Sequence, residues 1–107
     1  MRIRHLRVRT KELASEAKHI RHEAAQCSGM EKWELNHHRT SVVRPAARQY
    51  LLAYGYLRGT PYREIERSVK RPPNWTKIAN IIDRFGGDSE GLKAWRDAPA
   101  VEKAAAA

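Results

Sequence analysis

The chain has 107 residues but only one cysteine, Cys27, and it contains no long run of apolar residues. A single cysteine cannot form a disulfide within the chain, and such chains are typical of the reducing cytosol. A membrane-spanning helix needs about 18 or more consecutive apolar residues, and no segment approaches that length. The sequence therefore predicts a cytoplasmic protein that does not cross a membrane.

Glycine-rich and catalytic motifs are also missing. Gly86 and Gly87 lie where a helix is expected to end, so this pair does not indicate a phosphate-binding loop. Glu64 and Glu66 are two residues apart, which places their carboxylates on different faces of a helix and makes them a poor catalytic pair. We therefore predict that the protein is not an enzyme. The basic N-terminus is also not followed by the apolar stretch of a secretory signal.

A metal site is another class that the residues do not favour. His19 and His22 are three residues apart on a predicted helix, and Cys27 follows five residues later. A structural zinc site needs about four ligands, and this spacing matches none of the standard zinc motifs. We expect surface histidines and a small buried cysteine, with no metal and no cofactor.

Positive charge is what the sequence has in excess: 21 Lys and Arg oppose 12 Asp and Glu, a net charge of +9 with neutral histidines. Residues 1–22 carry seven basic and two acidic side chains, and residues 39–84 carry ten and three. The segment 23–38 between these blocks is net acidic. Arginine outnumbers lysine, which favours bidentate contacts with phosphate groups. The charge therefore predicts a polyanionic partner, above all a nucleic acid.

Apolar residues recur with helical spacing in the first half of the chain. Residues 2–9 form a basic arm, either extended or the frayed start of a helix that is clear from Thr10 onward. Ser28 and Glu31 have the spacing of a capping box and predict the start of a second helix. This helix is expected to run to about His38 or Arg39, and because Pro45 disfavours helix at the residue before it, we expect a break there.

The second half predicts three further helices. The first begins at Pro45 and ends at Gly59, the second is capped by Thr60, and the third is capped by Asn74 and stops at Gly86. The predicted fold is therefore all-α, with four to five short helices and a helix-turn-helix-like three-helix core. Its parts are a basic arm at 1–9, a single helical domain at 10–97 with the core at 45–86, and a tail at 98–107.

Residues 48–86 carry a family resemblance. A first helix ends in Leu57-Arg58-Gly59, a second reads Thr60-Pro61-Tyr62-Arg63-Glu64-Ile65-Glu66, and the third begins Asn74-Trp75-Thr76-Lys77-Ile78. This order resembles the helix-turn-helix superfamily, especially its small repressor-type and phage-type proteins. The chain departs from the family pattern at Glu66, where a small residue is usual, and in its turn at 68–73, which is longer and lacks glycine.

The resemblance implies that the third helix lies in the major groove of DNA and that exposed residues at its start read bases. Those residues are Asn74, Thr76, Lys77 and Asn80. Other basic and hydroxyl side chains, including a basic arm that enters the minor groove, are expected to contact the nucleic-acid backbone. They are Arg2, Arg4, Arg7, Arg9, Arg44, Arg48, Thr60, Arg63, Arg67, Lys70 and Arg71.

The sequence as a whole predicts a small regulator that binds double-stranded DNA in preference to RNA, alone or as a homodimer. Two alternatives stay open. One is a phage-type interaction protein that docks on a host nucleic-acid enzyme and inhibits it. The other is a basic protein associated with RNA or the ribosome, which the arginine-rich arm fits equally well.

Overall fold

The computed structural model describes residues 2–67, 69 and 71–98, and this part of the chain is helical with no strand. The predicted all-α fold is confirmed. A π-helical turn at Arg39–Val43 and a 3₁₀ turn at Ser89–Gly91 join some of the helices. The helices are α1 (Ile3–Ala25), α2 (Gly29–His38), α3 (Arg44–Arg58), α4 (Tyr62–Glu66), α5 (Trp75–Arg84) and α6 (Leu92–Asp97).

Helix α1 begins at Ile3, so an extended basic arm over residues 2–9 is wrong. The reason is Leu6, which is completely buried and continues the apolar series of Leu13 and Ile20 at seven-residue spacing. Such spacing places all three side chains on one face of a helix. The backbone N–H of Arg2 also donates to the carbonyl of Phe85, at 2.8 Å, and this bond holds the start of α1 against the end of α5.

The predicted break before Pro45 is also wrong, because the chain stays helical from Gly29 to Arg58. The N–H of Arg44 donates to the carbonyl of Arg39, five residues earlier, as in a π-helix. A proline ring normally collides with the carbonyl four residues before it, and a wider turn at this point relieves that collision. Helices α2 and α3 therefore form one long helix, and neither it nor α1 is short.

The predicted C-terminal end of α3 and the predicted N-cap of α5 are confirmed, whereas the predicted N-caps of α2 and α4 are not. Gly59 ends α3 in the left-handed conformation, with φ of +79°, and the side chain of Asn74 accepts a hydrogen bond from the N–H of Lys77 at 3.1 Å. Ser28 precedes α2 with extended backbone but makes no side-chain cap. Thr60 is not the N-cap of α4 either, because the helix begins after Pro61.

Helix α1 runs back along α2 and α3 as a long hairpin, and α5 packs on α3. The centre of the core contains four large aliphatic side chains that are completely buried. Around Tyr62, the rings of Trp75 and Trp95 lie with centroids 5.4 and 5.2 Å away. Burial, and then the nearby carboxylate of Glu66, raises the pKa of the Tyr62 hydroxyl above its ordinary value. The four aliphatic residues are Leu6, Leu52, Ile78 and Ile82.

The two ends of the molecule differ in how well they are packed. The core lies where α3, α5 and the start of α1 meet, whereas α2, at the far end of the hairpin, has no buried residue. The molecule is elongated, with principal extents of 53, 29 and 21 Å. No helix in the described part of the chain is both long and apolar enough to span a membrane.

Helix α4, the second helix of the proposed helix-turn-helix core, is only five residues long. It packs against α3 and α6, and Tyr62 touches the ring of Trp75 at the start of α5. Gly55 allows α4 to approach α3 closely, because a Cβ at this position would collide with the end of the Ile65 side chain. The loop from Arg67 to Asn74 separates α4 from α5.

Candidate nucleic-acid interface

Three arginines from two parts of the chain converge on one cavity. Arg44 and Arg48 are four residues apart on α3, so they share one face of the helix. Arg71 reaches the same place from the loop after α4, and Thr40 of the π-helical turn completes the lining. The cavity has a volume of about 290 Å³. The sequence analysis predicted each of these arginines as a separate contact with the nucleic-acid backbone, and the fold brings all three together.

A second cavity, of about 230 Å³, lies beside the first, since Arg44 and Arg48 line both. It lies between α1, α3 and the loop after α4, and most of its other lining residues are small or apolar. We call the two cavities together the basic groove. The residues that the second cavity adds are Thr10, Ala14, Ala47, Leu51 and Val69.

The three arginines of the basic groove have no carboxylate partner among the described residues. The ion pairs found there are Arg9 with Glu12 at 3.2 Å, Arg63 with Glu66 at 3.7 Å, and Arg96 with Asp97 at 3.3 Å. Like charges that lie close together without counter-charges produce a strong local positive potential. The basic groove is therefore a place where an anion is attracted.

Helix α1 extends this positive surface. Ala14 lines the basic groove, and Lys11 and Lys18 lie three residues before it and four residues after it on the same helix. Residues at these spacings are neighbours on a helix surface, so both lysines flank the groove. Glu12 and Glu16 line a different depression on α1, with Lys11 at its border. The exposed residues that form this α1 stripe are Arg4, Arg7, Lys11 and Lys18.

The other predicted backbone contacts lie away from the basic groove or are engaged elsewhere. The guanidinium of Arg2 donates to the carbonyl of Arg84 and lies over the ring of Phe85, 5.7 Å from its centroid. Thr60 accepts a 2.7 Å hydrogen bond from the indole of Trp95 through its carbonyl. Arg9 and Arg63 are in the exposed ion pairs given above, Arg67 is exposed, and Lys70 lies outside the described residues.

The predicted base-reading residues lie on α5 and do not line the basic groove. Thr76, Lys77 and Asn80 are exposed on one face of α5, together with Asp83. The Oδ1 atom of Asn74 already accepts the N–H of Lys77, so one of the two acceptor positions of this oxygen is used within the helix. The structure therefore presents two separate surfaces, one on α5 and one at the basic groove.

No significant match to this chain is found among protein-family models, curated proteins or solved structures. The helix-turn-helix resemblance is therefore not confirmed by relatives and stays a prediction. Interpretation of the surface depends on the residues themselves.

Several residues of the basic groove were not identified from the sequence. Thr10 and Ala14 are four residues apart on α1, and Ala47 and Leu51 are four apart on α3. These spacings are visible in the sequence, but they gain meaning only when the two helices lie side by side. In the described part of the chain, no three His, Cys, Asp or Glu side chains converge as a metal site would require.

Proposed function

We propose that the protein binds nucleic acid through the basic groove and the α1 stripe, with double-stranded DNA as the preferred ligand. The observation that carries this proposal is the convergence of Arg44, Arg48 and Arg71 without a described carboxylate partner. Arginine matches phosphate geometry with paired N–H donors, and each neutralised phosphate releases bound counterions. The charge is therefore arranged for backbone contact.

The dimensions of α1 also suit a long polyanion. Its 23 residues extend over about 34 Å at 1.5 Å per residue, and the α1 stripe covers roughly the first two-thirds of that length. A duplex of nucleic acid presents phosphates continuously over such a distance, whereas a small anion occupies only one point. The α1 stripe would therefore add contacts that a short ligand cannot use.

The regulator role adds sequence preference to this backbone contact. Lys77 is exposed near the start of α5, and lysine can donate to the acceptor edge of guanine. We expect Lys77→Ala to weaken binding to one DNA sequence more than to others, by about 1–3 kcal/mol. Arg63→Ala should weaken binding to all sequences slightly, because Arg63 is exposed and shared with Glu66. Equal losses on every DNA for both variants would remove the base-reading role of α5.

A salt titration tests the backbone contact. We would measure affinity for duplex DNA, single-stranded DNA and structured RNA over a range of salt concentrations. A plot of log affinity against log salt has a negative slope, and its magnitude decreases by about 0.9 for each lost contact with duplex DNA. Arg44→Gln/Arg48→Gln should therefore decrease the magnitude of the slope by nearly 2. A charge-matched control, Lys32→Gln/Lys93→Gln, removes two exposed lysines outside the basic groove and should leave the slope almost unchanged.

The ranking of ligands separates the hypotheses. The strongest binding to duplex DNA supports the primary proposal, and the strongest binding to structured RNA supports the RNA-associated alternative. Equal slopes for the groove variant and its control would show that the basic groove is not the binding surface. Absence of salt-dependent binding to every ligand would overturn nucleic-acid binding as a whole.

One observation favours the protein-docking alternative. Met30 and Trp33 are 69% and 59% exposed on α2, a helix with no buried residue. Large exposed apolar residues at one place often mark a protein contact. If α2 docks on an enzyme, one defined partner protein should co-purify with the chain after nuclease treatment. Trp33→Ser should abolish this co-purification, whereas Val42→Ser, a control at another exposed position, should not. Loss of all partners on nuclease treatment would argue against this alternative.

A further inference from the structure

The cavity lined by Thr40, Arg44, Arg48 and Arg71 differs from the rest of the basic groove, and we call it the arginine pocket. We propose that the arginine pocket binds a phosphate monoester, the doubly charged group of a nucleic-acid end or of a free nucleotide. This inference depends on the proposed function, because it assigns a ligand to one end of the same groove.

The lining of the arginine pocket favours an anion with several acceptor oxygens. Three of the four described residues that line it are arginines, and each guanidinium presents N–H donors but no acceptor. The hydroxyl of Thr40 already donates to the carbonyl of Asn36 at 2.9 Å, so the guanidinium groups are the main donors. None of the described residues that line the pocket is aromatic, so they offer no ring on which a base could stack. The pocket therefore favours the phosphate over the base.

The number of charges points to a monoester and not to the diester of an internal backbone position. A diester carries a single negative charge, whereas a monoester carries about −1.5 to −2 at pH 7 and has three free oxygens. Three guanidinium groups repel one another when no counter-charge lies between them, and a dianion compensates this repulsion more completely than a monoanion does. The second cavity of the groove shares Arg44 and Arg48 but not Arg71, and its other lining residues are uncharged, so its charge is lower.

The helix holds the arginine pocket in shape before a ligand arrives. Thr40, Arg44 and Arg48 succeed one another at four-residue spacing along one continuous helix, so they form a column on its surface. The π-helical turn keeps this column intact past Pro45, where a break would have separated Thr40 from the arginines. Only Arg71 comes from a loop, so most of the pocket is positioned by one rigid element.

The test compares short DNA duplexes that are identical except for their ends, one with 5′-phosphates and the other with 5′-hydroxyls. Each charge-assisted hydrogen bond to a phosphate is strong enough that we expect about tenfold tighter binding of the phosphorylated duplex. The readout is the affinity ratio of the two duplexes at constant ionic strength. Arg48→Lys keeps the charge but removes the paired donors, so it should lower the ratio, whereas the Lys32→Gln/Lys93→Gln control should not.

Two further measurements identify the group and its source. The affinity ratio should fall as the pH is lowered from 7 to 5, because the monoester loses its second charge near its second pKa of about 6. Competition with 5′-AMP or inorganic phosphate, with adenosine and sulfate as controls, shows whether a free monoester also occupies the pocket. If only duplex ends bind, the source is nucleic acid, and if free 5′-AMP displaces the phosphorylated end, both sources share the site.

The outcomes separate this inference from the proposed function. Equal affinity for phosphorylated and hydroxyl ends, with salt-dependent binding retained, overturns the phosphate pocket and leaves nucleic-acid binding in place. A tenfold ratio that Arg48→Lys does not change places the phosphate elsewhere and also overturns the inference. Circular dichroism of each variant would verify folding, and Arg71→Gln, which changes a loop residue, provides a second variant if Arg48→Lys is unstable.

Discussion

Asn74 is the residue where local structure and predicted base reading compete. Its Oδ1 atom caps α5 by accepting the N–H of Lys77 at 3.1 Å, and a bidentate contact with adenine needs the same oxygen. The cap satisfies a backbone donor that the first turn of the helix would otherwise leave unpaired. The structure therefore favours Asn74 as a capping residue.

Substitution of Asn74 tests this assignment. Asn74→Ala removes the cap and should lower the free energy of unfolding by about 1 kcal/mol, whereas Asn74→Asp retains a capping oxygen and should cost little. Chemical denaturation of the two variants and the parent protein measures both effects. If alanine and aspartate destabilise the protein equally, the capping role is wrong.

Gly55 is a second residue whose role depends on a close neighbour. A Cβ there would collide with the Cδ1 atom of Ile65, but alanine gains about 1 kcal/mol over glycine inside a helix, so Gly55→Ala should destabilise the protein by at most about 2 kcal/mol through overpacking. Ile65→Val removes the colliding methyl group. We therefore expect the double variant to be more stable than the sum of the single effects predicts, by about 1 kcal/mol in a denaturation-based cycle. Strict additivity would show that the two side chains do not interact.

At the scale of whole elements, the first turns of α1 distinguish a structural helix from a free arm. Leu6 is completely buried, so Leu6→Ala should lower the free energy of unfolding by about 2–5 kcal/mol. Val8 lies on the same segment but is 50% exposed, and Val8→Ala should cost less than about 0.5 kcal/mol. Thermal or chemical denaturation of both variants provides the comparison. A free arm would make the two substitutions equally harmless.

The sequence predicted those features of the fold that are set by local chemistry. Gly59 ends a helix because glycine adopts positive φ easily, and Asn74 begins one because its side chain reaches a backbone donor. The helix across Pro45 could not be predicted, since the π-helical turn that accommodates the proline is a rare adjustment. Likewise, the sequence of residues 2–9 left open an extended arm or the frayed start of a helix, and the packing of Leu6 against the core decides for the helix.

The candidate site was predictable as a set of residues but not as a surface. Arg44, Arg48 and Arg71 were predicted as backbone contacts from their charge together with the helix-turn-helix resemblance. Their convergence depends on how the loop after α4 folds back onto α3, which no local pattern encodes. The contribution of Ala14 and Leu51 depends in turn on the alignment of α1 with α3, which is a tertiary contact.

At the scale of the whole molecule, a net charge of +9 on 107 residues sets a balance between stability and binding. The arginines of the basic groove repel one another in the free protein, and salt screens this repulsion. We expect the Tm of the free protein to rise by about 2–5 °C between low and physiological salt. Differential scanning calorimetry of Arg44→Gln/Arg48→Gln should show a smaller rise, and a Tm that falls with salt would contradict this balance.

The unbroken helix from Gly29 to Arg58 also fixes a distance. Trp33 and Arg48 are fifteen positions apart on it, which corresponds to roughly 20 Å along the helix axis. A flexible linker would let the distance between two bound ligands vary, whereas a continuous helix keeps that distance constant. A protein partner that contacts the indole of Trp33 would therefore lie at a fixed distance from an anion bound by Arg48.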